Sequence, residues 1–384
     1  MAPNWWDMSK IRLLVVDDSS LMRRALVQIL SQDPDLEVVA TAANGQIALH
    51  QLEDHDLDAV LLDVEMPVLN GLETLQEIRD RGLMLPVIMF STLTRPGVRT
   101  TIDSLLIGAT DYVMKPTGRD AVKDSIQDTL IPKIKQHVTA HNEQPTLSTV
   151  RNHSTGSATS DIPQTGSPSS VANQSITTKQ PRISTEQVEL IVIASSTGGP
   201  NALMQLFTHI PPALSAPVLI VQHMPPVFTQ QLAYRLSAKG NLVTREAQHR
   251  ELSVPGEARI APGDFHMAVR RTSHGCQTLL NQDAPEHSCR PAADVLFRSA
   301  AEAYGAGVLA VVLTGMGRDG LSGAQAIHEA GGQIIVQDQE SCTVWGMPGA
   351  VAGAGLADGI YPLEDIPYEI ATRVGRCKTK RNPK

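Results

Sequence analysis

Asp17 and Asp18 close one short apolar strand pattern, Asp63 closes a second and Lys115 closes a third. The three patterns cover residues 11–16, 58–62 and 111–114. In an open parallel sheet such strand ends converge at one edge, where ligands bind. Three carboxylates meeting there would repel one another without a cation among them, and an all-oxygen donor set suits Mg²⁺. A lysine ammonium opposite them could hold a phosphoryl oxygen, which is the chemistry of a phosphate switch. Any one of these acids alone is explained as well by capping a helix or lining a loop. Their joint placement at strand ends points to one site.

A second group of reactive side chains lies farther along. The apolar run 188–194 leads into Ser195-Ser196-Thr197-Gly198-Gly199-Pro200, followed by a helical pattern. A serine on a tight strand-to-helix turn is lifted above the sheet, and the helix start offers N–H groups to an oxyanion. The same segment also reads as an N-capping hydroxyl with glycines easing a turn. His223 ends the next strand, 217–222, and could serve as a general base to a serine on the neighbouring strand. Asp319 follows the strand pattern 307–314 and could orient that imidazole. A competing reading uses Gly315, Gly317 and Gly320, which satisfy G-x-G-x-x-G between a strand and a helix. Asp338 falls 18 residues beyond Gly320, close to the spacing of about 20 in a dinucleotide-binding fingerprint. Against this, Asp319 would set a carboxylate beside a pyrophosphate, and Ser196 and His223 would have no role.

The elements that must position these residues alternate strand and helix. Helical spacing recurs after Asp18 and over 45–52, 71–81, 98–107 and 121–138. A further strand pattern, 86–90, ends at Ser91. Between 140 and 185 Ser, Thr, Asn, Gln and Pro dominate, so too little apolar surface is present to offset ordering entropy. Alternation then resumes, with strands at 188–194, 217–222, 258–261, 307–314 and 332–336 and helices at 201–208, 227–239, 293–304 and 321–329. This predicts a two-domain α/β protein: a first unit over 9–135, a polar linker over 140–185 and a second unit over 186–376. Each has a mainly parallel sheet covered on both faces.

At 384 residues, two domains are the natural expectation. The formal net charge of −8 argues against a nucleic-acid-binding output, which calls for a basic face. The basic tail 378–384 is too short to change that. The four cysteines, Cys276, Cys289, Cys342 and Cys377, show no C-x-x-C spacing. Residues 1–10 lack an apolar signal core and no run is long enough to span a bilayer. A cytoplasmic protein with reduced thiols and no membrane insertion is expected.

The N-terminal stretch resembles the receiver domain of bacterial response regulators, a flavodoxin-like (βα)5 fold. The resemblance implies Asp63 as phosphoacceptor, with Asp17, Asp18, Asp63 and the Glu65 backbone around Mg²⁺. It gives Ser91 the switch hydroxyl, Tyr112 the switch aromatic and Lys115 the phosphoryl contact. It also implies a cis bond between Lys115 and Pro116.

The second unit resembles the catalytic domain of CheB-type response regulators, the chemotaxis protein-glutamate methylesterases, a doubly wound α/β fold. The resemblance rests on Ser196-Thr197-Gly198-Gly199, Gln222-His223-Met224-Pro225-Pro226, Ala261-Pro262-Gly263, Arg290-Pro291, the glycine loop 314–320 and Trp345-Gly346-Met347-Pro348-Gly349. It implies hydrolysis of glutamate γ-methyl esters on methyl-accepting chemoreceptors, and deamidation of particular glutamines. It assigns Ser196 as nucleophile, His223 as base and then acid, Asp319 as the orienting carboxylate and Met316 N–H as oxyanion donor. No cofactor is implied for the esterase step, and a chemotaxis histidine kinase is the implied phosphodonor. Ala194-Ser195 stands where the family usually has Gly-Ala, Ala292 where it has Ser, and the linker is long. A non-catalytic or dinucleotide-binding module tethered to a receiver is the competing class.

Overall fold

The computed structural model describes residues 10–92, 94–116, 123, 125–142 and 187–375. The expected linker lies outside them except for residues 140–142, which end a helix, and the tail 378–384 lies outside as well.

Strands β1 (Ile11–Val16), β2 (Leu36–Ala42), β3 (Ala59–Asp63), β4 (Val87–Ser91) and β5 (Asp111–Met114) form one five-stranded sheet in the order β2-β1-β3-β4-β5. All its pairings are parallel. Strand β3 is buried throughout, as a strand covered by helices on both faces must be. Around it lie α1 (Ser20–Leu30), α2 (Gly45–Asp54), α3 (Gly71–Asp80), α4 (Arg95–Leu106) and α5 (Ile131–Asn142). Side-chain caps fix where these helices begin. Ser19 accepts from Met22 N, and Asn70 with Glu73 forms a reciprocal capping box. Each such cap is worth about 1 kcal/mol.

The helix expected over 121–138 is described from Ser125 onward. It enters through a π turn, Ile126–Leu130, and α5 runs on to Asn142. Its earlier residues lie largely outside the described ones. The cis bond expected at Lys115–Pro116 is not found; the cis X-Pro bond among the described residues joins Arg290 to Pro291. An X-Pro bond carries only a small intrinsic preference, so local packing selects the isomer.

The second unit contains β6 (Leu190–Ser195), β7 (Val218–Gln222), β8 (Val243–Glu246), β9 (Leu252–Ser253), β10 (Glu257–Ile260), β11 (His266–Thr272), β12 (Gly275–Asn281), β13 (Val308–Val312), β14 (Gln333–Gln337) and β15 (Gly359–Tyr361). Seven of these make a parallel sheet in the order β15-β14-β13-β6-β7-β10-β8. Strands β11, β12 and β9 form a separate antiparallel sheet. The helices are α6 (Gly199–His209), α7 (Phe228–Lys239), α8 (Ala293–Tyr304), α9 (Leu321–Glu329), α10 (Met347–Gly353) and α11 (Ile366–Val374).

The central strand β6 is flanked by β7 on one side and β13 on the other, so strand order reverses at β6. A crevice opens outside the carboxyl ends of strands at such a switch point. Ser196, His223 and Asp319 follow these three strands.

The two units share a packed boundary. Helix α4 lies against α6 and α7, and the buried apolar cluster on this side runs from Val98 and Ile102 into Leu203 and Phe228. Among the described residues, no helix is long and apolar enough to cross a membrane.

Candidate functional site

At the N-terminal sheet edge, Asp17, Asp18 and Asp63 each bring a carboxylate oxygen within 4.8 Å of the others. Lys115 Nζ bridges Asp17 Oδ2 at 2.8 Å and Asp63 Oδ2 at 2.7 Å. Glu65 N donates to Asp63 Oδ1 at 3.4 Å, which holds the Glu65 backbone at the mouth of the cluster. Burial raises the Asp63 carboxyl to about 6, with Lys115 pulling the other way. One ammonium, shared between Asp17 and Asp63, does not offset the burial of these carboxylates. The donors are all oxygen, the set that a hard divalent ion takes. The residues present therefore fit Mg²⁺.

Ser91 and Tyr112 sit where a change at Asp63 could be relayed. Ser91 is fully buried and its Oγ accepts from Thr101 Oγ1 at 2.6 Å, a link between β4 and α4 absent from the sequence expectations. The Tyr112 ring stacks on Phe228 of the second unit, centroids 4.8 Å apart and planes 16° from parallel. Its neighbour Asp111 binds Lys133 at 2.9 Å and His137 at 2.9 Å, and accepts from Thr197 Oγ1 at 3.5 Å. Against the cost of burial, Lys133 and His137 hold that carboxyl well below the usual range. It stays ionised where it faces Thr197.

In the second unit, the turn after β6 is built from close backbone contacts. Ser195 Oγ donates to Gln222 Oε1 at 2.7 Å and Ser195 is fully buried. Gln222 Nε2 in turn donates to Ser196 O at 2.8 Å. Of the doubled serine, Ser195 is thus tied down and Ser196 is left at the cavity wall. Gly198 has φ +74°, and a Cβ on it would come within 2.3 Å of Thr343 Oγ1. Pro200 enters the first turn of α6, where a missing N–H costs nothing.

His223 Nε2 lies 2.7 Å from Asp319 Oδ2. Asp319 is buried, and its carboxylate also accepts from Ala293 N at 2.6 Å, Asp294 N at 2.9 Å and Gly320 N at 2.9 Å. Burial would raise this acid, but His223 and the N–H groups at the start of α8 hold it low. Burial alone would lower His223; its bonds to Asp319 and Cys289 outweigh that and raise it to about 9. Since Nε2 is committed to Asp319, Nδ1 is the ring nitrogen left for proton transfer. Cys289 Sγ stands 3.7 Å from it. Ser196 Oγ forms no hydrogen bond to His223 among the described residues, although both line one cavity; such bonds often tighten only with substrate.

That cavity, about 320 Å³, is lined by Ser196, His223, Asp319 and Met316 from the second unit and by Leu105, Asp111 and Tyr112 from the first. The N-terminal unit therefore forms part of its wall. The Met316 N–H and the Thr197 N–H find no backbone acceptor among the described residues. The dinucleotide reading finds less support. Asp319 is consumed by His223 and the α8 amides, and Asp338 accepts from Ser341 N and Oγ at 2.9 and 2.6 Å instead of standing free. Sequence reasoning missed Gln222 as the clamp on the serine turn, Cys289 beside the imidazole and the Tyr112–Phe228 stack. Only Gln222, next to His223, carried a local signal.

A serine lifted by a strand-to-helix turn, beside unpaired amides and a histidine held by a buried aspartate, is the equipment of acyl-transfer hydrolases. Here a phosphate-receiver fold is packed over it. The response regulator receiver domain model matches residues 13–127 and the CheB methylesterase model residues 191–370. A protein-glutamate methylesterase/protein-glutamine glutaminase of Trichodesmium erythraeum is 45% identical over 377 residues, covering 96% of this chain and 100% of that protein. One from a Nocardioides species is 45% identical over 379 residues, covering 98% and 99%. The crystal structure of the Thermotoga maritima CheB methylesterase catalytic domain is 40% identical, covers 49% of this chain and 99% of that one, and superposes with a TM-score of 0.47. The chain belongs to the CheB methylesterase family, with a response-regulator receiver domain ahead of the catalytic domain.

Proposed function

We propose that this chain is a phosphorylation-activated hydrolase that removes methyl groups from glutamate γ-methyl esters of chemoreceptors and deamidates particular receptor glutamines. The observation that carries the chemistry is the His223–Asp319 pair at 2.7 Å, its carboxylate buried, sharing a cavity with Ser196. In this reading His223 Nδ1 takes the Ser196 proton as Oγ attacks the γ-carbonyl. Met316 N–H and Thr197 N–H receive the oxyanion, and Asp319 stabilises the imidazolium. Methanol or ammonia leaves with the proton that His223 returns. Water, activated by the same nitrogen, then cleaves the acyl-enzyme to a receptor carboxylate.

The regulatory half assigns residues 9–135 to the receiver, 140–185 to a linker and 186–376 to the catalytic domain. Asp63 is the phosphoacceptor, and a chemotaxis histidine kinase supplies the phosphoryl group. Asp17, Asp18, Asp63 and the Glu65 carbonyl would hold Mg²⁺, whose charge offsets that of the carboxylates and the incoming phosphoryl group. Lys115 contacts the phosphoryl oxygen, Ser91 and Thr101 draw α4 inward, and Tyr112 leaves Phe228. Docking over Ser196 then weakens. The setting is cytoplasmic, where receptor signalling helices are reached without membrane insertion.

Methanol release from a methyl-labelled chemoreceptor cytoplasmic fragment tests the reading. Wild type releases methanol and Ser196→Ala does not; release that persists in the variant would remove Ser196 from the mechanism.

A further inference from the structure

We propose that Cys289 is a covalent modification site, attacked by hydrogen peroxide and small uncharged electrophiles, whose modification blocks the catalytic histidine. Three observations carry this. First, Cys289 Sγ lies 3.7 Å from His223 Nδ1, the nitrogen that Asp319 leaves unengaged, so sulfur, imidazole and carboxylate form a Cys–His–Asp array beside Ser196. A thiol with a base in reach is the arrangement that makes a cysteine nucleophilic. Second, Cys289 lines the inter-domain cavity and also a separate opening of about 380 Å³. That second opening is formed by His223, Met224, Pro225, Pro226, Asp264 and residues 288–291, all in the catalytic domain. A small reagent can therefore reach the sulfur while the receiver is docked. Third, the other cysteines among the described residues lack this setting. Cys276 and Cys342 are buried, and burial pushes both thiols upward, Cys276 to about 11.

The peroxide step balances with the groups present. His223 takes the thiol proton, the sulfur attacks one peroxide oxygen and the O–O bond breaks. The departing hydroxide recovers the proton from His223 and leaves as water. Sulfur is oxidised by two electrons to sulfenic acid, and peroxide is reduced. The added oxygen then stands between sulfur and Nδ1, where the Ser196 proton must go. Thiol reductants restore the cysteine.

The inhibition rests on the esterase reading, but the reactivity does not, and two readouts separate them. Full-length protein is treated with iodoacetamide or hydrogen peroxide, and modification of each cysteine peptide is followed by mass spectrometry. Cys289 should be modified at least ~10-fold faster than Cys276 and Cys342, and His223→Ala should slow it about as much, because the imidazole supplies the activation. Methanol release is then measured relative to each variant's own untreated rate. Wild type should lose most of its rate and recover it with dithiothreitol after peroxide, whereas Cys289→Ala should keep its own. Equal modification of the three cysteines, or no effect of His223→Ala on the Cys289 rate, would overturn the reactivity. Equal inhibition of wild type and Cys289→Ala would overturn the block.

Discussion

His223 and Asp63 are both displaced from their ordinary titration ranges, in ways that have separate consequences. His223 is raised to about 9 because Asp319 and Cys289 outweigh its burial. The base form therefore grows as pH rises through about 9 while the receiver is docked. The methanol-release rate of the unphosphorylated protein should climb through that range, and Cys289→Ala should move the midpoint downward; a midpoint near 6.5 in both would contradict the assignment. Asp63 titrates at about 6, chiefly through burial. Between its ordinary value of 3.8 and about 6, the folded state binds more protons than the unfolded one, so its ionisation lowers stability as pH rises through that window. Asp63→Asn removes this penalty and should stabilise the protein at pH 7 by about 1–3 kcal/mol, read by denaturant midpoint. Stabilisation by Mg²⁺ should fade below about pH 6 as Asp63 protonates. Much of this scale is legible in sequence, because Asp17, Asp63, His223 and Asp319 each close a buried apolar strand or follow one. Cys289 is not, since its approach to His223 spans 66 residues and is set by the loop before Pro291.

Glycines at the strand ends decide how closely the catalytic loops approach. A Cβ on Gly315 would fall 2.4 Å from Met347 Sδ and 2.9 Å from Ser196 Cβ. The sulfur could shift, but the serine turn is clamped by Gln222. Gly315→Ala should cost about 1–3 kcal/mol of stability and lower the esterase rate by more than that loss explains, since displacing Ser196 by about 1 Å costs on the order of 100-fold. Parallel strands such as β6 and β13 are readable because burial on both faces demands unbroken apolar runs. The hairpin of β11 and β12 is not. Arg270 and Arg271 are exposed and Gln277 is half-buried, and Arg271 reaches across to Glu189 at 2.7 Å. Such partly exposed antiparallel strands carry a weaker pattern than a buried parallel one.

Over the whole molecule, the receiver is held on the catalytic domain more by packing than by charge. The Arg235–Asp103 pair at 2.5 Å is partly exposed, and pairs of this kind contribute about 1 kcal/mol or less. The Tyr112–Phe228 stack adds about 0.5–1.5 kcal/mol beyond the apolar area it buries. Tyr112→Ala should therefore raise the unphosphorylated rate more than Arg235→Ala does, and both should respond less to phosphorylation; equal effects would place the weight of docking elsewhere. The domain order and the sheet-edge positions are legible in sequence. The docked geometry is not, because Tyr112 and Phe228 belong to separate local patterns that only tertiary packing brings together. The most direct measurement compares methanol release by wild type and Asp63→Ala, with and without a small phosphodonor and Mg²⁺. Wild type should release methanol faster with the donor, and Asp63→Ala should show no increase. A donor-dependent rise in Asp63→Ala, or no release from wild type under any condition, would contradict a receiver-gated methylesterase.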